Sequence, residues 1–317
     1  MIVVLSGGSG GAKFVQGLQR VLPARELSVV VNTGDDLLWW GLHVSPDLDS
    51  ITYALAGMLS AQRGWGVEGD TFYCLEAMRR LGAPAWFQIG DRDLATHLRR
   101  TEMLAQGKKL TEVTREIAAS LGIESSILPM SDDGVETRVV TEQGELSFQE
   151  YFVRERFQPR VKKIYFAGAE VAAPSSGVLQ AIASAEAIMV APSNPITSLG
   201  PILALPGMVE ALQSARAPVA AISPIVGGAA VSGPAGALMR SRGLPVSVSG
   251  VAQTYASFLD ILVVDHADVA ESSALERTGI RVYCASTIMN SIGDKVALAR
   301  EVLQALGSRN IAPAARV

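Results

Sequence analysis

The sequence predicts an α/β protein: a doubly wound, mostly parallel, Rossmann-like sheet interrupted by an inserted helical and hairpin subdomain. Three observations carry this expectation. Short apolar runs without in/out alternation recur between Gly/Pro turns and helical patterns, as strands buried on both faces require. The chain opens as strand, glycine-rich turn and helix. A stretch from about 64 to 160 then departs from that alternation.

The first strand is expected at residues 2–5, followed by GGSGGAK at 7–13 and a helix over 14–20. A glycine run has no Cβ atoms to block close approach, and the following helix N-terminus carries positive partial charge, so the turn suits a phosphate. It matches neither familiar fingerprint. Ala12 separates Gly11 from Lys13 and Phe14 takes the hydroxyl position of a P-loop, while Lys13 stands where a dinucleotide loop has its third glycine. Further strands are expected at 27–32, 163–167, 187–191, 219–223, 258–264 and 281–285. Within the insertion, Val113, Ile117 and Leu121 recur at helical spacing after Thr111, a candidate N-cap, and Gly122 can end that helix. Alternation from Val135 to Thr141, the Gln143-Gly144 turn and a return at 146–148 predict a hairpin. The expected organisation is a discontinuous core of 1–63 and 161–308, an inserted subdomain of 64–160 and a tail of 309–317.

Composition narrows the class. A net charge of −4 with 27 scattered basic residues offers no basic stripe, so nucleic acid is not an expected partner. Cys74 and Cys284 make no zinc or CxxC spacing, which fits a reducing compartment. The N-terminus enters strand-like sequence directly, without a charged leader, and no apolar run reaches membrane-spanning length. A cytoplasmic enzyme or binding protein is expected.

Ligands of open parallel sheets bind beyond the carboxyl ends of the strands, so the polar residues there are the candidates. NTGDD, with Asn32, Asp35 and Asp36, has more acid than a ribose needs, though Asn, Gly and Asp also make ordinary turns. In HVSPDLDS, Asp47 and Asp49 can hold a hard cation, and Ser-Pro-Asp is equally a normal helix start. WFQIGDRDLATHL places Asp91, Arg92, Asp93 and His97 together; Arg92 can make a bidentate contact to phosphate, whereas a lone helical histidine is more often structural. Residues 191–201 supply Ser193, Asn194, Thr197 and Ser198, and 223–236 supply a second glycine-rich turn with Gly227 and Gly228.

GGSGGAK, VVVNTGDD, GLHVSPDLDS, GDRDLATHL, ILPMSDD, PSNPITSLGPILALPG and SPIVGGAAVSGPAG occur in one order over residues 1 to about 268. In this the chain resembles the 2-phospho-L-lactate transferases (the CofD family) of deazaflavin coenzyme F-420 biosynthesis. The resemblance implies a Mg2+-dependent transfer of a phospho-acyl group from a GDP-linked donor to the ribityl hydroxyl of the deazaflavin Fo, with GMP leaving. It implies that Ser9, Gly10, Gly11 and Lys13 hold the diphosphate. Asp47 and Asp49 would bind Mg2+ or orient the hydroxyl, with Asp49 toward Fo, and Gln88, Asp91 and Arg92 would line the Fo side. Asn32, Ser193, Asn194, Ser198, Gly227 and Gly228 would serve the guanosine and phosphates, and Trp39, Trp40 and Trp86 are candidates for a wall against the ring. A homodimer is implied. Ser9 stands where the family often has Thr, and either hydroxyl serves. The alternative is a regulatory protein of the same fold that binds UDP-sugars and has no evident use for HVSPDLDS and GDRDLATHL.

Overall fold

Seven strands pair side by side, all parallel, in the computed structural model, which describes residues 1–307. They are β1 (Ile2–Ser6), β2 (Leu27–Val31), β3 (Ser126–Pro129), β4 (Ala187–Val190), β5 (Val219–Ile222), β6 (Ile261–Asp265) and β7 (Arg281–Ala285). The spatial order is β7-β6-β5-β4-β1-β2-β3. Ile2 to Leu5 are at most 2% exposed, because β1 is central and covered on both faces. Its register runs Ile2↔Leu27 on one side and Ile2↔Ala187 on the other. The chain winds outward through β2 and β3, then returns across β1 to β4, so the strand order reverses between β1 and β4. In such sheets the crevice beyond the carboxyl ends at this switch point is the ligand site.

Helix α1 (Gly8–Leu18) follows β1 directly and packs on α2 (Pro46–Leu55) and on the C-terminal helix Ile292–Ala305. Contact with the latter is close enough that a Cβ on Gly17 would collide with the Lys295 carbonyl. The segment after α2 carries α3 (Tyr73–Arg80), α4 (Asp91–Ala105) and α5 (Leu110–Ser120). Gly122 has φ +72° just past α5, as expected of a helix stop. The α5 N-cap is Lys109, not Thr111. Thr111 donates its N–H and hydroxyl to Asp132 instead, both at 2.7 Å.

Two strands differ from expectation. Residues 163–167 belong to Val161–Ala167, which pairs antiparallel with Glu136–Thr141 in a separate three-stranded sheet completed by Gly144–Ser147. Lys162 and Lys163 are exposed there, and a strand with two exposed lysines after Val161 suits a half-solvated sheet rather than a doubly covered one. The place in the central sheet goes to Ser126–Pro129, from inside the 64–160 segment. It is an edge strand, where Pro129 is tolerated. The 309–317 tail and residue 308 lie outside the described residues. No helix among the described residues is long and apolar enough to cross a membrane.

Candidate active site

A cavity of about 790 Å³ opens at the switch point. Its floor is the turn after β1. Gly8 adopts φ +66°, a left-handed conformation that favours glycine. Gly10 and Gly11 are glycines for a different reason: a Cβ on Gly10 would strike the Pro192 carbonyl, and one on Gly11 the Ser6 hydroxyl. Ser193 ties the β4 loop to this turn, donating from Oγ to the Gly7 carbonyl at 2.6 Å and accepting from the Gly7 N–H at 3.3 Å. Gly7, the N-cap residue, makes no side-chain cap, Asp47 accepts from the Gly8 N–H, and Gly7, Gly8, Ser9, Gly10 and Lys13 lie on the cavity wall.

Asn32 is fully buried and holds three segments together. Its Nδ2 donates to Asp35 Oδ2 at 3.1 Å, Asp47 Oδ2 at 3.0 Å and the Thr197 carbonyl at 3.4 Å, while its Oδ1 accepts from the Gly34 N–H at 2.9 Å. Asp35 and Asp47 thus share one amide on the cavity wall. Burial, opposed by hydrogen bonds from Asn32 and Gly8, pushes the Asp47 carboxyl up to about 6. Burial, aided by the Asp47 charge, holds Asp35 well above the usual range. Two carboxylates that are costly to ionise without a counter-charge, one with a buried oxygen (Asp35 Oδ1) lacking a hydrogen bond, form an all-oxygen donor pair that fits a hard divalent cation.

Asp49 fits that role less well. It lines the cavity from α2, but both its oxygens are engaged by Arg100 of α4: Oδ1 with Nη2, and Oδ2 with Nη1 at 3.2 Å. Asp49, Asp93 and His97 are grouped closely enough to consider as ligands, yet an ion among them would adjoin the Arg100 guanidinium.

The other wall is aromatic. Trp65, Trp86, Phe87, Phe148 and Phe152 line it, and the last two stack at 5.5 Å with planes 6° apart. Of the tryptophans expected there, only Trp86 is on the wall. Trp39 is 5% exposed in a small apolar cluster with Val44 and Ile89, and Trp40 donates from Nε1 to the Pro84 carbonyl at 2.9 Å.

The cavity brings together Ser9, Gly10, Lys13, Asp47, Asp49, Gln88, Ser193, Asn194 and Ser198. Gly11 and Asn32 stand directly behind them. Asp91, Arg92, Gly227 and Gly228 are elsewhere. Asp91 caps α3, accepting from Thr71 Oγ1 at 2.5 Å, Tyr73 N at 3.0 Å and Cys74 N at 2.9 Å. The Arg92 guanidinium reaches the Glu68 carbonyl at 3.3 Å. Gly227 already gives its N–H to both Asp268 oxygens, and residues 231–233 take the expected place on the wall. From the same α4 motif the cavity takes Asp93 and His97 instead. Their signal was the i, i+4, i+7 spacing of Asp93, His97 and Arg100, which puts three ionisable side chains on the helix's buried face. Residues 287–290, after β7, complete the rim; Thr287 is tied to Asp265 through its N–H at 2.9 Å and hydroxyl at 3.1 Å.

The fold and cavity define a Rossmann-like α/β protein whose glycine turn, acidic pair and aromatic wall meet at the switch point. The sequence matches the family described as "2-phospho-L-lactate transferase CofD" over residues 2–291, and the chain belongs to that family of transferases of coenzyme F-420 biosynthesis. It is 43% identical over 304 residues to a 2-phospho-L-lactate transferase of Methanosarcina mazei, covering 96% of this chain and 100% of that one. It is also 43% identical over 309 residues to a phosphoenolpyruvate transferase of Streptomyces griseus, covering 96% and 97%. A solved member of the UPF0052 family from Bacillus halodurans superimposes with a TM-score of 0.64 at 15% identity, covering 95% of this chain and 98% of that one, which shows a shared fold.

Proposed function

We propose that this chain transfers a 2-phospho-L-lactyl group, or its enolpyruvyl analogue, from a GDP-linked donor to the terminal ribityl hydroxyl of the deazaflavin Fo. One observation carries the reading: the first turn of α1 with Lys13, the aromatic side chains Trp65, Trp86, Phe148 and Phe152, and the carboxylates Asp47 and Asp49 all line one cavity. That combination suits a diphosphate and a flat ring.

The first-turn N–H groups, Ser9 and Lys13 hold the diphosphate, and Ser193, Asn194 and Ser198 serve its nucleoside side. Asp49 accepts a hydrogen bond from the Fo hydroxyl, whose oxygen is thereby aimed at the distal phosphorus. That oxygen forms the new P–O bond as the bond from distal phosphorus to bridging oxygen breaks. GMP departs with the bridging oxygen, and the hydroxyl proton is released on the Asp49 side. Catalysis of this kind is mostly positioning and stabilisation of phosphate charge. Asp47 and Asp35 would hold Mg2+, whose contribution when bound is to neutralise the diphosphate. The chain acts in the cytoplasm as a homodimer.

The test is a fluorescence titration of Fo with GDP and Mg2+ present, followed by detection of GMP released from lactyl and enolpyruvyl donors. Saturable Fo binding and GMP release are expected. Micromolar binding of a UDP-sugar, with none of Fo or GDP, overturns the reading in favour of a nucleotide-sugar sensor.

A further inference from the structure

Behind the cavity wall, between α2 and α4, is a buried set of ionisable groups. Arg100 is 3% exposed and does not reach the cavity. Beyond its two contacts to Asp49, its Nη1 points to the His43 carbonyl at 3.4 Å and to His97 Nδ1 at 3.3 Å. His97 Nδ1 also lies 3.6 Å from Asp49 Oδ2, and its Nε2 lies 3.3 Å from Asp93 Oδ1. The same Asp93 oxygen accepts from the Tyr53 hydroxyl at 2.7 Å, and Tyr53 stands on α2, one turn beyond Asp49. Asp36 adds attraction to the guanidinium from the side, itself paired with His43 Nε2 at 3.0 Å. Within the set, Arg100 Nε and His97 Nε2 are buried without a hydrogen-bond partner, so the guanidinium is held through its two Nη atoms.

Such an arrangement is costly unless each charge is paired, and replacement of a buried pair by apolar groups is often neutral for stability. What apolar groups cannot do is aim a carboxylate. A planar fork gripping both Asp49 oxygens fixes the rotation of that carboxylate as a single contact does not. Arg100 comes from α4, in the 64–160 segment, and Asp49 from the core helix α2, so the fork also ties the two together.

We infer that Arg100 is the positioning residue for the transfer reaction: it acts through Asp49, holding that carboxylate in the orientation that receives the acceptor hydroxyl, while Asp93 and His97 hold Arg100. The inference rests on the reading under Proposed function, in which Asp49 meets the hydroxyl.

The experiment is a double-mutant cycle on the full chain with Mg2+, reading kcat, the Fo dissociation constant and the melting temperature. Arg100→Lys keeps the charge and loses the fork. It should stay folded, bind Fo within about threefold of wild type and lose roughly 10-fold in kcat. Arg100→Gln should lose roughly 100-fold in kcat, the scale of a misplaced catalytic group. In the Asp49→Asn background, where there is no carboxylate to aim, Arg100→Gln should cost less than about threefold more. A merely structural arginine would lower stability in both backgrounds and multiply the losses.

A folded Arg100→Lys with kcat within about threefold of wild type overturns the inference, as do fully multiplicative losses in the double variant. An Asp49→Asn variant with wild-type turnover overturns it while leaving the transfer reaction standing. A wild-type chain that releases no GMP from either donor overturns the proposed function, and the positioning role with it.

Discussion

Asp47→Asn should make the metal-free protein more stable at neutral pH while removing its response to Mg2+ and nucleotide. The carboxyl lies on the cavity wall, accepts from Asn32 Nδ2, and is pushed by burial from the ordinary 3.8 to about 6. An acid whose pKa is higher in the fold than in the unfolded chain takes up protons on folding between those two values. Stability therefore falls as pH rises from about 4 to about 6, and the penalty is complete at pH 7. At 1.36 kcal/mol per unit, a rise of this size corresponds to about 3 kcal/mol. Asparagine keeps an oxygen for the Asn32 donor and carries no charge to oppose Asp35 and Asp36. The variant should melt roughly 6 °C higher than wild type at pH 7.5 in EDTA, and the two should converge near pH 4. Adding Mg2+ with GDP should raise the wild-type melting temperature and leave the variant nearly unmoved, since binding to the native state alone is what stabilises it. Scanning fluorimetry across pH, with and without Mg2+ and GDP, reads both effects. A variant equal to or less stable than wild type at pH 7.5 in EDTA refutes the argument from burial, and a variant with a wild-type Mg2+ response refutes the placing of the cation at Asp47.

Gly10→Ala forces a methyl onto the Pro192 carbonyl, with backbone on both sides and no flexible end to yield. It should lower stability by about 1–3 kcal/mol and abolish nucleotide binding, as followed by urea denaturation and GDP titration; an unchanged unfolding midpoint would contradict the packing described. Lys13→Ala removes one charge-assisted contact, which predicts a 10- to 100-fold weaker donor, about 1.5–3 kcal/mol, with Fo affinity nearly intact. Equal loss of both ligands by calorimetry would remove the turn's diphosphate role. Phe152→Ala unstacks Phe148 and should weaken Fo roughly fivefold, about 1 kcal/mol, without touching GDP. Fo binding at wild-type strength would show that the ring lies elsewhere.

Much of the core could be read from local chemistry. Residues 2–5 and 187–191 are apolar runs of the kind a doubly covered strand requires, and both are strands inside the parallel sheet, while 281–285, opening on Arg281, is its half-exposed edge strand. The glycine run could be read as a place of close approach, but Gly8 to Lys13 form the start of α1 itself, so the helix begins about six residues earlier than the expected 14–20. Ser-Pro-Asp likewise predicts a helix start, and that helix carries Asp47 and Asp49 to the cavity wall. What failed were inferences about partners far away in sequence. Whether a short apolar run such as 163–167 joins the central sheet or a separate hairpin sheet depends on which strand lies beside it, and periodicity carries no information on that. Asp91 and Asp93 are two residues apart in one motif, yet helical geometry sends one to cap α3 and the other to the cavity.

The amino-acid sequence alone determined the fold class, the glycine-rich start of α1 after β1 and the family, because these rest on short-range pattern and on motif order. Tertiary structure alone decided which partners each carboxylate meets. Asp47 and Asp49 are equivalent letters on the first turn of one helix, but the chain folds Asn32 and Asp35 against the first and Arg100, from 51 residues further on, against the second. A charge in a low-dielectric wall is governed by what is packed within a few ångströms of it, and only the folded chain sets those neighbours.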